Sequence, residues 1–171
     1  MVVNRLDDVV TGALEVLDAY GLEFCSMRRV AGHLDVQPSA LYHHVADKQT
    51  LLALMADRIV ADVEVSAAGS VRERARSLVR ALRAAMLAVR DGAEVVATAS
   101  AFRLGASQVE ADLVDVLADK QGARTLLLFV FGHTQATQMH RMAASVGAIE
   151  PDPDLDASFD RGVDIVLRGL L

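Results

Sequence analysis

Apolar side chains recur along this chain at steps of three and four residues, which is the spacing of amphipathic α-helices. The first such segment runs from about Arg5 to Tyr20, and Gly21 is suited to end it. Further helices are predicted at about 27–34, 38–45, 48–65, 71–91, 94–102, 106–120, 123–146 and 155–170. Alternation of apolar and polar residues, which would indicate strands, is seldom sustained. The pattern therefore predicts an all-α fold.

Glycines interrupt this helical pattern at several points. Gly69, with Ser70, is predicted to mark the join between two modules, residues 1–65 and residues 66–171. Gly92 and Gly122 are predicted to separate consecutive helices of the second module. The helix at 48–65 would then link the two modules.

Residues 26–48 have the order of a short helix, a tight turn, a second short helix and the start of a third. Ser26 is a favourable N-cap, and Pro38 suits a first helical turn because no amide donor is needed there. The second short helix cannot bury enough surface alone, so Leu41 must pack on its neighbours. This order predicts a helix-turn-helix unit that reads DNA.

Polar side chains concentrate around this motif. Those predicted to contact DNA are Arg28, Gln37, Pro38, Ser39, Tyr42, His43, His44 and Lys48. Cations and hydroxyl groups would hold phosphates, while Ser39, His43 and Gln37 would read base edges. Tyr42 could instead serve only as a packing residue. The side chains of His43 and His44 project about 100° apart on a helix, which is a poor arrangement for binding one metal ion. We therefore expect no metal and no other cofactor.

The charge of the N-terminal region weakens this hypothesis. Residues 1–60 contain five Lys/Arg and eight Asp/Glu. Non-specific affinity for DNA comes mainly from neutralising phosphates, and few cations are available for it. We expect a local positive edge at the motif on an acidic protein. A rival hypothesis stays open, namely a small-molecule-binding or interaction protein that has this fold without specific DNA binding.

Residues 5–60 also resemble the DNA-binding domain of the TetR (tetracycline repressor-like) regulators. The matching residues are Arg28, Ala31, Leu34, Val36, Leu41-Tyr42, His44-Val45, Lys48 and Leu51-Leu52. The resemblance continues more weakly at 90–93 (Arg-Asp-Gly-Ala) and 132–133 (Gly-His). It implies a homodimer that binds a palindromic DNA operator through residues 1–65. Residues 66–171 would dimerise and bind a small effector that releases the DNA. An activator would carry the same motif.

The resemblance also bears on the effector. Aligned through residues 90–93, Val96 and Ala99 fall where tetracycline repressors have polar ligands, so tetracycline with magnesium is not expected. We expect a small, largely apolar effector, in a pocket lined by residues from the fifth to the eighth helix. The residues predicted to line it are Leu82, Met86, Val96, Phe102, Phe129 and His133. Any helical core contains such residues, and that simpler interpretation stays open.

The last two helices are the predicted dimer elements, because they carry apolar positions and a helix-turn-helix needs a two-fold partner. These positions include Leu128, Phe131, Ile165, Val166 and Leu170. The arginines between 72 and 90 are interpreted as a solvated helix face with acidic partners such as Glu73, rather than as a second nucleic-acid surface.

Composition argues against other classes of protein. Apolar runs such as Leu126–Phe131 are far below the roughly 18 residues that a membrane helix needs. The start of the chain has no cationic segment before an apolar core, so a secretory signal is not expected. A single cysteine, Cys25, excludes an internal disulfide and suits the cytoplasm. No catalytic grouping stands out, so an enzyme is not expected.

Overall fold

The computed structural model describes residues 5–171, and over that range the chain forms nine α-helices and a short 3-10 turn, without strands. The helices are α1 (Leu6–Tyr20), α2 (Met27–His33), α3 (Pro38–Tyr42), α4 (Lys48–Ile59), α5 (Val71–Leu87), α6 (Gly92–Ala101), α7 (Ser107–Leu117), α8 (Lys120–Ser145) and α9 (Leu155–Leu170). The 3-10 turn is Leu22–Phe24. The predicted all-α fold is confirmed. The predicted 1–65 module and the segment considered as a signal both include residues 1–4, which lie outside the described residues.

Two glycines that were expected to separate helices serve close packing instead. Gly92 is the first residue of α6, and a Cβ there would lie 2.5 Å from the carbonyl oxygen of Met86. Gly122 lies inside α8, where a Cβ would lie 2.9 Å from the side chain of Leu170. The prediction was wrong for Gly122, whereas Gly92 stands at the boundary between α5 and α6 but begins α6 rather than ending α5. A glycine required for close approach resembles a chain breaker in sequence.

Several predicted helices are too long. Helix α3 ends at Tyr42 rather than 45, because the amides of His44 and Val45 both turn back to the carbonyl of Leu41. Helix α4 ends at Ile59 rather than 65, and α5 ends at Leu87 rather than 91. After α3 and α4, apolar residues of the following turn, such as Val45 and Val63, are buried without being helical.

The N-terminal helices pack as a small bundle. Helix α1 contacts both α2 and α4, and α2 contacts α3. Leu41 is fully buried, as the short length of α3 predicted, and so is Leu17 from α1. The side chain of Leu34 packs closely against Gly12 of α1. A Cβ at Gly12 would lie 2.6 Å from a methyl group of Leu34.

The remaining helices form a second bundle in which α8 contacts α5, α6, α7 and α9. Three arginines of α5 have acidic partners, as interpreted from the sequence, and these partners lie on α9. Arg76 pairs with Asp164, Arg80 with Asp160, and Arg83 with Asp156. Glu73 instead completes a capping box with Ser70 at the start of α5. Because one hydrophobic core runs through both bundles, the division at residue 65 stays a prediction. Within residues 5–171, no helix is long and apolar enough to cross a membrane.

Candidate nucleic-acid interface

The helix-turn-helix is held in shape by caps at its helix ends. The hydroxyl of Ser26 accepts a hydrogen bond from the amide of Arg29 at 3.3 Å, which caps α2. The turn after α2 uses Asp35 in a left-handed conformation (φ 55°), and Pro38 occupies the first turn of α3. Asp47 caps α4 by accepting the amide of Thr50 at 2.7 Å. The local signals for this motif are thus realised in the structure.

The side chains predicted to contact DNA lie on the outside of this motif. Arg28, Gln37, Ser39, Tyr42, His43 and Lys48 are exposed, while Pro38 and His44 are half-buried. Among residues 5–171, none of these eight side chains forms a hydrogen bond or an ion pair. Opposite them on α3, Leu41 points into the core. The polar groups of α3 are therefore free to bind an external partner.

The exposure of Tyr42 distinguishes a role in partner contact from a role in packing. Its side chain is 53% exposed. A tyrosine that mainly served a core would have most of its ring covered. The exposure therefore favours contact with a partner over packing.

Arg29 is a further basic residue of this surface that the predicted set of contacts did not include. Its guanidinium lies over the ring of Tyr20, 4.6 Å from the centroid, and 5.6 Å from the ring centroid of Phe24. All three side chains are exposed. Cation–π contacts hold a guanidinium in place while its remaining N–H groups stay available. The sequence signal was the Arg28-Arg29 pair, but the two aromatic residues come from the end of α1 and the 3-10 turn.

Three acidic residues of the N-terminal bundle have contacts within it. Asp7 of α1 pairs with Arg58 of α4, and Glu15 lies 2.7 Å from the imidazole of His33. Asp47 is used as a cap, and the hydrogen bond from the backbone of Thr50 lowers the pKa of this carboxyl. These contacts fix the positions of the three carboxylates, but they leave the net negative charge of the region unchanged.

The residues predicted to bind an effector do not form one group. Leu82, Met86 and Val96 are fully buried in the core, whereas Phe102 is 59% exposed at the end of α6. Phe129 and His133 are half-buried on α8 and lie together, with ring centroids 5.6 Å apart. An effector would reach the three core residues only if the helices separated. Their role as ligand contacts stays a prediction.

His133 occupies an aromatic setting between α8 and α9. Its ring centroid lies 5.4 Å from that of Phe159, and the guanidinium of Arg83 lies 4.6 Å from the Phe159 ring centroid. Burial, followed by the positive charge of Arg83, lowers the pKa of His133. Arg83 also pairs with Asp156 at 2.8 Å. His133 is therefore held in its neutral form more strongly than an exposed histidine.

Helix α4 is attached to the second bundle through backbone groups. At Gly105, in the loop between α6 and α7, a Cβ would lie 2.6 Å from the carbonyl oxygen of Ala53 in α4. The next residue, Ala106, donates its amide to a carboxylate oxygen of Asp57 at 2.6 Å. Sequence reasoning missed both contacts, because neither residue pair has a spacing that marks it.

A second attachment joins the corner between α5 and α6 to the end of α1. Arg90 donates to the carbonyl oxygens of Asp18 and Ala19 at 3.0 and 3.1 Å. The carboxylate of Asp91 accepts the amide of Leu22 at 2.8 Å. These bonds satisfy carbonyl groups that α1 leaves unpaired at its end. The N-terminal bundle is thus connected to the second bundle at both α1 and α4.

Comparison with known proteins agrees with this architecture. No protein-family model matches the chain. The crystal structure of Mycobacterium smegmatis BioQ is 34% identical to this chain, covers 97% of both chains and has a TM-score of 0.91. The tetracycline repressor protein class E of Escherichia coli is 35% identical over 94 residues. The chain belongs to the TetR family of transcriptional regulators.

Two further structures show what other members of this family bind. BioQ has been solved with its double-stranded DNA operator, and that structure is 32% identical to this TetR-family chain with a TM-score of 0.84. ActR of Streptomyces coelicolor, solved in complex with (S)-DNPA, is 26% identical over 98% of this chain and 97% of its own, with a TM-score of 0.76. The matched region spans about half the length of the curated tetracycline repressors, 44% for class E and 48% for class A.

Proposed function

We propose that this TetR-family protein is a ligand-responsive transcriptional repressor, rather than an enzyme, that acts on DNA in the cytoplasm. It would bind a palindromic operator as a homodimer and release it when a small molecule binds residues 66–171. The observation that carries this proposal is the exposed polar surface of α3, free of internal partners and attached through α4 to the second bundle. The operator complex of the relative BioQ supports the same use of the fold.

The roles of individual residues follow from their chemistry. Tyr42 and Lys48 would hold phosphates, and Lys48 stands at the start of α4, where the helix end already favours an anion. Ser39, His43 and Gln37 would read base edges in the major groove. Arg28 can reach a phosphate or a guanine, Pro38 and His44 would line the contact, and Arg29 adds a phosphate contact.

The homodimer would form through α8 and α9. Leu128 on α8 and Ile165 on α9 are 62% and 66% exposed, so each offers apolar surface that a partner subunit could cover. Gly132 and Gly169 lie on the same two helices with open space around them, so a partner helix could approach closely. Two-fold pairing would place the two α3 helices about 34 Å apart, which is one turn of DNA.

Release of DNA would depend on α4. This helix contacts α6 and is bonded to the loop between α6 and α7 through Asp57. A ligand that favours another position of α6 and that loop would move α4, and with it the separation of the two α3 helices. The ActR complex with (S)-DNPA supports ligand binding by this fold.

The rival, a protein with this fold but without specific DNA binding, is less favoured. It rested on the acidic balance of residues 1–60, whereas BioQ, a relative that covers 97% of this chain, has been solved with its DNA operator. It predicts no specific binding to DNA at any salt concentration, whereas a repressor loses affinity steeply as salt rises.

The test is selection from a randomised DNA pool at near-physiological salt, followed by fluorescence anisotropy with the recovered sequence. We expect a palindrome, and we expect Tyr42→Ala and Lys48→Ala each to weaken binding by about tenfold or more. Arg72→Ala, which removes a cation of α5 outside the motif, is the matched control and should bind as the wild type does. Lys48→Ala should also reduce the slope of affinity against salt by about one unit. Enrichment of no sequence would contradict the proposal.

A further inference from the structure

A cleft lined by basic and apolar residues lies between α6, α7 and α8, apart from the buried residues predicted to bind an effector. It consists of two adjoining hollows of about 70 and 180 Å³, which share Ser100, Arg103 and Glu110. Arg124 borders the smaller hollow and Lys120 the larger one. Three cations therefore surround the cleft, against the single carboxylate of Glu110.

These three cations are exposed and are available to a ligand. Within residues 5–171, the side chains of Arg103, Lys120 and Arg124 form neither ion pairs nor hydrogen bonds. By contrast, Arg76, Arg80 and Arg83 of the same bundle each pair with an aspartate of α9. The whole chain carries a formal charge of −6. A concentration of unpaired cations around one cleft of an acidic protein indicates an anionic ligand.

The smaller hollow adds an apolar wall beside these charges. It is formed by Ala97 and Ala101 of α6 and by Leu127 and Phe131 of α8. Together the hollows are below the roughly 300 Å³ at which sites for drug-sized molecules begin. The geometry points to a small organic carboxylate with a short hydrocarbon part as the ligand. We infer that its carboxylate binds Arg103 and Arg124, and that its hydrocarbon part contacts Leu127 and Phe131.

The cleft is also connected to α4. Arg103 has a left-handed backbone conformation (φ 56°) in the loop that joins α6 to α7. Two residues later Gly105 touches the backbone of Ala53, and Ala106 donates to Asp57. A carboxylate that draws Arg103 toward Arg124 would therefore act on the loop that holds α4. This assigns the cleft as the effector site, and the assignment rests on the proposed function.

The probe for this site is hexanoate, with hexanol as its uncharged analogue, titrated into the full chain by calorimetry at constant ionic strength. Hexanoate should bind with one site per chain, and hexanol should bind at least about tenfold more weakly because it lacks the charge-assisted bonds. Arg103→Gln and Arg124→Gln should each weaken hexanoate binding by about tenfold. Arg72→Gln removes an unpaired cation outside the cleft and should leave binding unchanged.

Operator affinity, measured in parallel by anisotropy, should fall as hexanoate saturates the wild type. Equal binding of hexanoate and hexanol, or unaltered binding by both cleft variants, would overturn the site. Absence of binding by butyrate, hexanoate and octanoate would overturn it as well, and binding that leaves operator affinity unchanged would overturn its effector role. In each case intact operator binding by the free protein would leave the proposed repressor function standing. Loss of operator binding by the free wild type would instead contradict the proposed function.

Discussion

Replacing Gly105 by alanine tests the attachment of α4 to the second bundle. The added Cβ would lie 2.6 Å from the carbonyl oxygen of Ala53 and 3.0 Å from its Cα. Both are main-chain atoms of α4, so no side-chain rotation can relieve the clash. The α6–α7 loop and α4 must separate by roughly 0.8 Å to restore an ordinary contact of about 3.4 Å.

The cost can be given as an order of magnitude. Inserting a methyl group into a packed contact destabilises a protein by about 1–3 kcal/mol. In a chain of this size, each kcal/mol lowers the Tm by about 2–4 °C. Gly105→Ala should therefore lower the Tm by about 2–12 °C. Because the clash is with main-chain atoms, adding Ala53→Gly should not restore the loss.

Urea and thermal unfolding of the wild type and the variant would measure this effect. The matched control is Gly32→Ala on α2, since a Cβ there meets nothing within 4 Å. That control should be unchanged or more stable by up to about 1 kcal/mol, because alanine favours a helix over glycine. A Gly105→Ala protein as stable as the wild type would refute the backbone contact between the loop and α4.

Two further predictions concern the dimer and the histidine of α8. Ile165→Glu places a charge on the proposed dimer face, so it should shift the protein to monomers in analytical ultracentrifugation and weaken operator binding. Val146→Glu, at an equally exposed position just after α8, should not, and an intact Ile165→Glu dimer would contradict the proposed interface. Burial lowers the pKa of His133 in the folded protein, so the neutral imidazole contributes to stability above the usual histidine pKa of about 6.5. That contribution is lost as pH falls below about 6.5 toward the lower pKa of the folded state. His133→Gln should therefore lose less stability than the wild type between pH 7 and pH 5 in urea unfolding, and an identical loss would argue against this role.

The sequence predicted the helices well where local chemistry specifies them. Ser26 caps α2 as its position indicated, and the apolar spacing of α9 predicted both ends of that helix. The exposed residues of the helix-turn-helix were also predictable, because the burial of Leu41 leaves Tyr42 and its polar neighbours on the opposite side. These features depend on interactions within a few residues, which a single segment of chain contains.

The roles of the glycines and of the predicted effector residues depended on which helices pack against each other. In sequence, Gly92, Gly105 and Gly122 are equivalent chain breakers, but each is required where another backbone or side chain comes close. The predicted effector residues followed the apolar faces of the helices, and close packing buried Leu82, Met86 and Val96 in the core instead.

The sequence alone determined that this protein is a helical bundle with a DNA-reading motif, because helix periodicity, capping and turn chemistry are local. The tertiary structure decided how that motif is attached to the rest of the molecule and where unpaired charge collects. Arg103, Lys120 and Arg124 come from a loop and from α8, and they surround one cleft only because α6, α7 and α8 pack together. Asp57 and Ala106 are 49 residues apart in the chain, yet they are joined by one hydrogen bond. Such long-range contacts depend on the packing of whole helices, which no local pattern of residues encodes.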